Sequence, residues 1–229
     1  MFKKLLAIIG IGSAATAQTA SRSAYKDEGT QLIYDLLFCD RLSAYKDNHK
    51  GDLKQPWSAL FAEPPDYSAV QKIAEDNSEE SRIRMLAFNL LRTGNHKVPS
   101  KLHLGTIVEV ALPGGVDTLA VFSDRTARYI NHSGRMVVVE AGAKFFDEEI
   151  QAVLKASAPV VAAIGPWDKE RLPPPTDSNI RMTFLVSDGL YFGEGPMDLM
   201  QQDPLASPLI NAATQLLLKV INESSKTGK

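Results

Sequence analysis

The segment of residues 187–196 concentrates side chains that could do chemistry. It contains two carboxylates, Asp188 and Glu194, and two aromatic residues, Tyr191 and Phe192, among three glycines. A carboxylate pair can act as general acid and general base, with an aromatic ring as a platform for the substrate. The same composition also suits a hairpin turn, in which Asp188 serves the turn geometry and the aromatic residues enter the core. The sequence leaves both interpretations open.

A second candidate is the loop that carries Trp167, Asp168 and Lys169 between Pro166 and the prolines at positions 173–175. A stiff loop presents its side chains in fixed positions. A tryptophan flanked by both charges has the composition of a protein-binding hot spot. The alternative is that the tryptophan simply plugs the end of the core.

Two cations, Arg128 and Arg135, flank a predicted turn at residues 132–134 and could contact an acidic partner. Charges on an exposed strand also prevent unwanted pairing with other chains, which is the simpler explanation. The predicted binding residues are Trp167, Asp168, Tyr191, Phe192 and Arg128, and the weaker catalytic candidates are Asp188 and Glu194.

The sequence contains no motif for the other common types of functional site. None of the four histidines has a second histidine at the i, i+4 spacing of a metal-binding helix. The single cysteine, Cys39, excludes an intrachain disulfide and a cysteine-rich zinc site. No glycine-rich segment has the spacing of a phosphate-binding loop, and no Gly-x-Ser-x-Gly elbow is present. We therefore predict no cofactor and no metal.

Charge and composition narrow the class of partner. The chain of 229 residues carries 25 Lys and Arg against 27 Asp and Glu, a formal net charge of -2. It therefore lacks the broad positive field that drives nucleic-acid binding, and we predict no nucleic-acid partner. A hydrophobic content of 44% is that of a globular protein with a substantial core.

The N-terminal part of the chain is predicted to be a leader and linker followed by helices. Apolar residues recur at helical spacing over residues 30–45, with Thr30 as cap, over 67–75 and over 77–94, where Asn77 begins a capping box. Residues 18–29 are small and polar, which predicts a linker.

From residue 106 the pattern becomes extended. Turn signals separate four predicted strands that form an antiparallel meander, at residues 106–112, 117–122, 127–131 and 135–140. The remaining elements are a helix at 147–164 that Pro159 should kink or split, a hairpin of 179–187 with 190–192, and a last helix capped by Ser207.

This order predicts an α+β fold: a mainly antiparallel sheet, formed by the four-strand meander plus a hairpin, packed against helices that cover one face. The N-terminal third is helical. The predicted organisation is a leader and linker at 1–29, a helical region at 30–100 and an α+β region at 101–229, with the last two forming one compact unit.

The N-terminus gives an ambiguous signal for localisation. Lys3 and Lys4, a short apolar run and the small residues up to Ala17 resemble a signal peptide over residues 1–17. The apolar run is short and contains glycines, which favours a cytoplasmic protein, with a periplasmic or secreted protein cleaved near Ala17 as the alternative. No segment reaches the ~18 apolar residues of a membrane span, so no transmembrane segment is predicted.

Four segments together resemble an uncharacterised family of bacterial proteins over residues 30–222. They are residues 115–120, 128–131, 165–168 and 187–195. The resemblance implies no reaction, ligand or catalytic residue.

The sequence favours a protein-binding or adaptor-type protein whose partner is another protein. One alternative is a hydrolase or isomerase that uses the Asp188 and Glu194 pair. The other is an exported envelope protein.

Overall fold

The helices of the front third come first in the computed structural model, which describes residues 23–227 and the side chains of residues 23–225. Within residues 23–102, five α-helices lie before the first described strand. They are α1 (Glu28–Leu37), α2 (Leu42–Asn48), α3 (Trp57–Leu60), α4 (Tyr67–Glu75) and α5 (Ser81–Thr93).

The start of α1 lies two residues before the predicted one because Asp27, and not Thr30, caps it. The Asp27 carboxylate accepts the backbone N–H of Thr30 at 2.8 Å, which satisfies one of the free donors at the start of the helix. The predicted helix 30–45 is wrong as a single element. Cys39 adopts a left-handed backbone conformation with a φ of 52°, which separates α1 from α2.

Three other helix predictions need correction. The capping box at Asn77 does not form, and α5 begins four residues later, after Glu80. Helix α6 (Asp147–Ala163) is continuous through Pro159. The last helix, α8 (Ala206–Thr227), begins where the Asp203 carboxylate accepts the N–H groups of residues 205 and 206, so Ser207 is not its cap.

The six strands of the described residues form one antiparallel sheet, as predicted. They are β1 (His103–Leu112), β2 (Gly115–Phe122), β3 (Ala127–Ile130), β4 (Met136–Val139), β5 (Asn179–Val186) and β6 (Gly189–Pro196). Their order is β4-β3-β2-β1-β5-β6, so the meander and the hairpin join through the β1–β5 pairing. Strand β6 is longer than the predicted 190–192, and a short helix, α7 (Met197–Met200), follows it.

Helices cover both faces of the sheet, which corrects the prediction of one covered face. One core packs α1 to α5 against the face that carries Ile107, Ala120 and Leu185. A second core packs α6 and α8 against the opposite face, which carries Val108 and Met182. Alternate residues of each central strand therefore enter different cores, and these strands read as nearly continuous apolar runs.

Residues 23–27 of the predicted linker belong to the fold. Tyr25 is 5% exposed, and its hydroxyl donates to the Val116 carbonyl at 2.9 Å and lies 2.9 Å from the Thr118 hydroxyl. This segment is thereby fixed to the sheet just before α1. The predicted signal peptide at 1–17 lies outside the described residues.

Gly105 is a position in β1 where the packing leaves no room for a side chain. A Cβ atom there would lie 2.9 Å from the Val121 carbonyl oxygen of the neighbouring strand. We expect Gly105→Ala to lower the free energy of unfolding by about 1–2 kcal/mol, measured by urea denaturation. Gly193→Ala is the control because a Cβ there meets no atom within 4 Å, and equal losses for both variants would contradict the prediction.

Among the described residues, no helix has both the length and the apolar character needed to cross a membrane.

Candidate functional site

Strand β6 is an edge of the sheet and is only partly covered. Val186 and Gly189 face each other across a two-residue turn, which closes with a hydrogen-bonded pair. The alternation of an antiparallel ladder then directs the backbone groups of Leu190, Phe192 and Glu194 away from β5. The Leu190 carbonyl accepts the backbone N–H of Trp167 at 2.7 Å. Within residues 23–227, the outward N–H and C=O groups of Phe192 and Glu194 have no hydrogen-bond partner.

Residues 165–178, here called the strap, connect α6 to β5 and bring Trp167 to this edge. The Trp167 and Phe192 rings meet edge to face, with centroids 4.9 Å apart. The Trp167 indole N–H donates to the Glu170 carbonyl at 2.9 Å, and the Lys169 ammonium lies 5.4 Å from the Trp167 ring centroid. Trp167 is therefore half-buried and held in one orientation.

Arg171 fastens the strap to the helical layer. Its guanidinium donates to Asp40 and to Asp35, each at 2.8 Å, and lies 3.9 Å from the centroid of the Phe38 ring. Burial by itself lowers the pKa of Arg171, but the two carboxylates outweigh that effect, and the pKa lies above its ordinary value. The guanidinium is thus a permanent charge that joins the strap to α1 and to the turn after it.

Beneath α1 and the strap, polar side chains form a row across four neighbouring strands. Thr118 on β2, Glu109 on β1, Arg181 on β5 and Glu194 on β6 are successive cross-strand partners. We call these four residues the polar row. Arg181 donates to Glu194 at 2.8 Å and to the carbonyl of Leu172 in the strap at 3.2 Å.

Glu109 is the most constrained member of the polar row. It is fully buried, and the hydroxyl of Tyr34 in α1 donates to its Oε1 at 2.6 Å. Among the described residues, its Oε2 has no hydrogen-bond partner, because the nearest guanidinium nitrogen of Arg181 is 3.9 Å away. Burial raises the pKa of Glu109, and the positive charge of Arg181 opposes that shift.

A small, partly open cavity lies beneath the strap, and an open groove lies beside α1. The cavity, between Trp167, Arg171, Arg181 and Phe192, has a volume of about 10 Å³, which is room for a single water molecule. The open groove beside α1 has a volume of about 330 Å³. No group of three or more His, Cys, Asp or Glu residues in the described part of the chain could hold a metal ion.

The two predicted catalytic carboxylates are not brought together. Asp188 lies in the β5–β6 turn, where it accepts hydrogen bonds from Ser100 and Tyr191. Glu194 lies near the other end of β6 and is paired with Arg181. The intervening extended chain spans roughly 17 Å, so the two cannot act on the same bond.

The predicted binding residues separate into two groups. Trp167, Asp168 and Phe192 lie at or beside the β6 edge, with Asp168 exposed. Tyr191 is 1% exposed and belongs to the core against α6 and α8. Arg128 lies next to the opposite edge strand, where it donates to the Val139 carbonyl, and is distant from the strap in the strand order.

Sequence reasoning missed Glu109, Arg181, Arg171 and Tyr34. A signal was present for the first two, because each is a single charge within an apolar strand pattern, Val108-Glu109-Val110 and Ile180-Arg181-Met182. A buried charge requires a partner, so two such strands predict a pair. No comparable signal marks Arg171, whose partners come from a distant part of the chain.

No family model, curated protein or solved structure matches the chain.

Proposed function

We propose that this protein is an adaptor-type binding protein that contacts another protein through the β6 edge and the strap. The observation that carries the proposal is the edge-to-face pair of Trp167 and Phe192 beside unpaired backbone groups of an edge strand. Edge strands with free backbone groups readily pair with other chains, and tryptophan is enriched at the energetic centres of interfaces.

The fixed conformation of Trp167 in the strap also supports a role in protein binding. Trp167 is fixed by its own backbone hydrogen bond, by its indole hydrogen bond and by the Phe192 ring. A side chain that is already ordered loses little conformational entropy when a partner covers it. Exposed Asp168 and Lys169 next to it supply the polar rim that surrounds the core of an interface.

A site-specific photo-crosslinking amino acid tests the proposed surface. It is placed at Asp168 and, as a control, at Gln151, which is exposed on α6. We expect one protein of the native host to crosslink from position 168 and not from position 151, as identified by mass spectrometry. Absence of an adduct, or the same adduct from both positions, would contradict the proposal.

The captured protein then allows a quantitative test. We expect Trp167→Ala to weaken its binding at least about 30-fold, the effect of an interface hot spot of about 2 kcal/mol, in calorimetric titrations. Phe145→Ala is the matched control, since Phe145 is a 55% exposed aromatic residue beside the opposite helical layer. If both variants bind like the unmodified protein, the Trp167 surface is not the interface.

A further inference from the structure

The part of the β6 edge whose backbone groups are free is short, and we call it the window. At one end, Trp167 already occupies the outward side of Leu190. At the other end, Pro196 has no N–H to donate, and α7 begins directly after it. Phe192 and Glu194 remain between these limits, and their two N–H and two C=O groups offer four backbone hydrogen bonds.

Gly193 lies at the centre of this window and leaves space on one face. A Cβ atom at Gly193 would meet no atom within 4 Å. Side chains alternate along a strand, so this space opens on the face opposite to the Phe192 ring. A glycine within a strand marks either a bulge or bend or a place where another backbone approaches closely. The β5–β6 register is continuous through Gly193, so no bulge occurs there. The edge can therefore accept a side chain of an incoming strand above Gly193.

Negative charges flank the window at both ends. Asp168 and Glu170 are exposed in the strap near the Leu190 end, and Asp198 is exposed in α7 just beyond Pro196. Of the cations nearby, Lys169 lies over the Trp167 ring, and Arg92, beside Gly189, donates to Asn89. The complementary ligand is positive at both of its ends.

We propose that the occupant is an extended segment of another protein, apolar in its middle and rich in Lys or Arg at both ends, that adds to β6 as a seventh strand. The proposal rests on the proposed function and specifies its ligand. Backbone hydrogen bonds to Phe192 and Glu194 supply the register, and the space above Gly193 receives one apolar side chain.

The geometry favours such a segment over a second copy of this chain. Two β6 strands related by a two-fold axis at Gly193 would place Pro196 of one copy opposite Leu190 of the other. That side of Leu190 is occupied by Trp167. A short extended segment ends before this obstacle.

A displayed library of random seven-residue peptides, selected against the full chain, is the probe. We expect selected peptides to carry Lys or Arg at both ends, and their affinity to fall as salt is added. In NMR hydrogen exchange, the bound peptide should slow the amide protons of Phe192 and Glu194. A selection that yields no binder, or only acidic peptides, would overturn the proposal.

Two substitutions test the pairing itself. Phe192→Pro removes an outward N–H, and Gly193→Val places a side chain in the open space, where a Cβ atom meets no atom within 4 Å. We expect each substitution to weaken binding of the selected peptide at least 10-fold in calorimetric titrations. The control, Val138→Pro, removes an outward N–H from β4 at the other edge and should change affinity less than 2-fold.

These variants separate this proposal from the broader one. If Trp167→Ala abolishes peptide binding while Gly193→Val binds normally, the protein-binding function stands and strand addition is wrong. If the unmodified protein is a dimer that Phe192→Pro dissociates in light scattering, the occupant is a second copy and the proposal fails. If Phe192→Pro does not fold, the peptide affinity of Gly193→Val and the amide exchange rates of Phe192 and Glu194 still test strand addition.

Discussion

Replacing Arg181 by methionine is expected to lower the free energy of unfolding by about 3–5 kcal/mol. Methionine retains much of the length of the side chain but leaves the fully buried carboxylate of Glu109 without its nearest positive charge. The Glu109 carboxylate still accepts the hydrogen bond from Tyr34 in this variant. One hydrogen bond does not replace the hydration that a carboxylate loses when it is buried. Urea denaturation at pH 7 measures the loss.

The control for this prediction removes the second charge as well. In the double variant with Glu109→Gln, the neutral amide oxygen can still accept from Tyr34, so we expect part of the lost stability to return. The remaining deficit reflects the lost hydrogen bonds of Arg181 to Glu194 and to the Leu172 carbonyl. If the double variant is as unstable as Arg181→Met alone, the cost does not come from an uncompensated charge.

The Arg181→Met deficit should also depend on pH. Burial already raises the pKa of Glu109, and removal of Arg181 raises it further. For a carboxyl group whose folded-state pKa exceeds its unfolded value, protonation favours the folded state, and this contribution is lost as the pH rises through the folded-state pKa. The deficit relative to the unmodified protein is therefore expected to be smaller at pH 5 than at pH 8, and a larger deficit at pH 5 would contradict the assignment.

Arg171→Met is the second substitution with a large expected effect. It should lower the free energy of unfolding by about 2–3 kcal/mol. The Arg171 side chain is 15% exposed, and its loss leaves Asp35 and Asp40 without their shared partner. The strap should also loosen, which hydrogen exchange of the Trp167 amide would report directly. Arg41→Met is the control because Arg41 contacts the same Asp35 carboxylate but is 56% exposed, so its loss should cost less than about 1 kcal/mol.

Much of the architecture follows from local patterns in the sequence. The α+β class and the antiparallel meander were predictable because the helical hydrophobic period ends near residue 106, where segments rich in β-branched residues and separated by turn signals begin. Helix α4 has the predicted bounds, Tyr67–Glu75. The covering of both faces was not predicted, although the continuous apolar character of β5 (Asn179–Val186) is typical of a strand buried on both sides.

The candidate site was less predictable because it depends on contacts between distant segments. Composition identified Trp167 and Phe192 separately, but only the strap brings their rings together. The β1–β5 pairing places Glu109 opposite Arg181, and no short-range pattern determines which strands become neighbours. Asp188 and Glu194 are close in sequence and were predicted as a pair. An extended strand separates its ends, and the pair does not form.

The position of β5 beside β1 affects how the chain folds as it leaves the ribosome. Helices α1 to α5 and strands β1 to β4 emerge first, when Glu109 has Tyr34 available but Arg181 has not yet been synthesised. Closing the helical layer over the meander at that stage would bury an uncompensated carboxylate. We therefore expect nascent chains that end before β5 to remain open and to recruit chaperones, and folding to complete only after β5 has emerged.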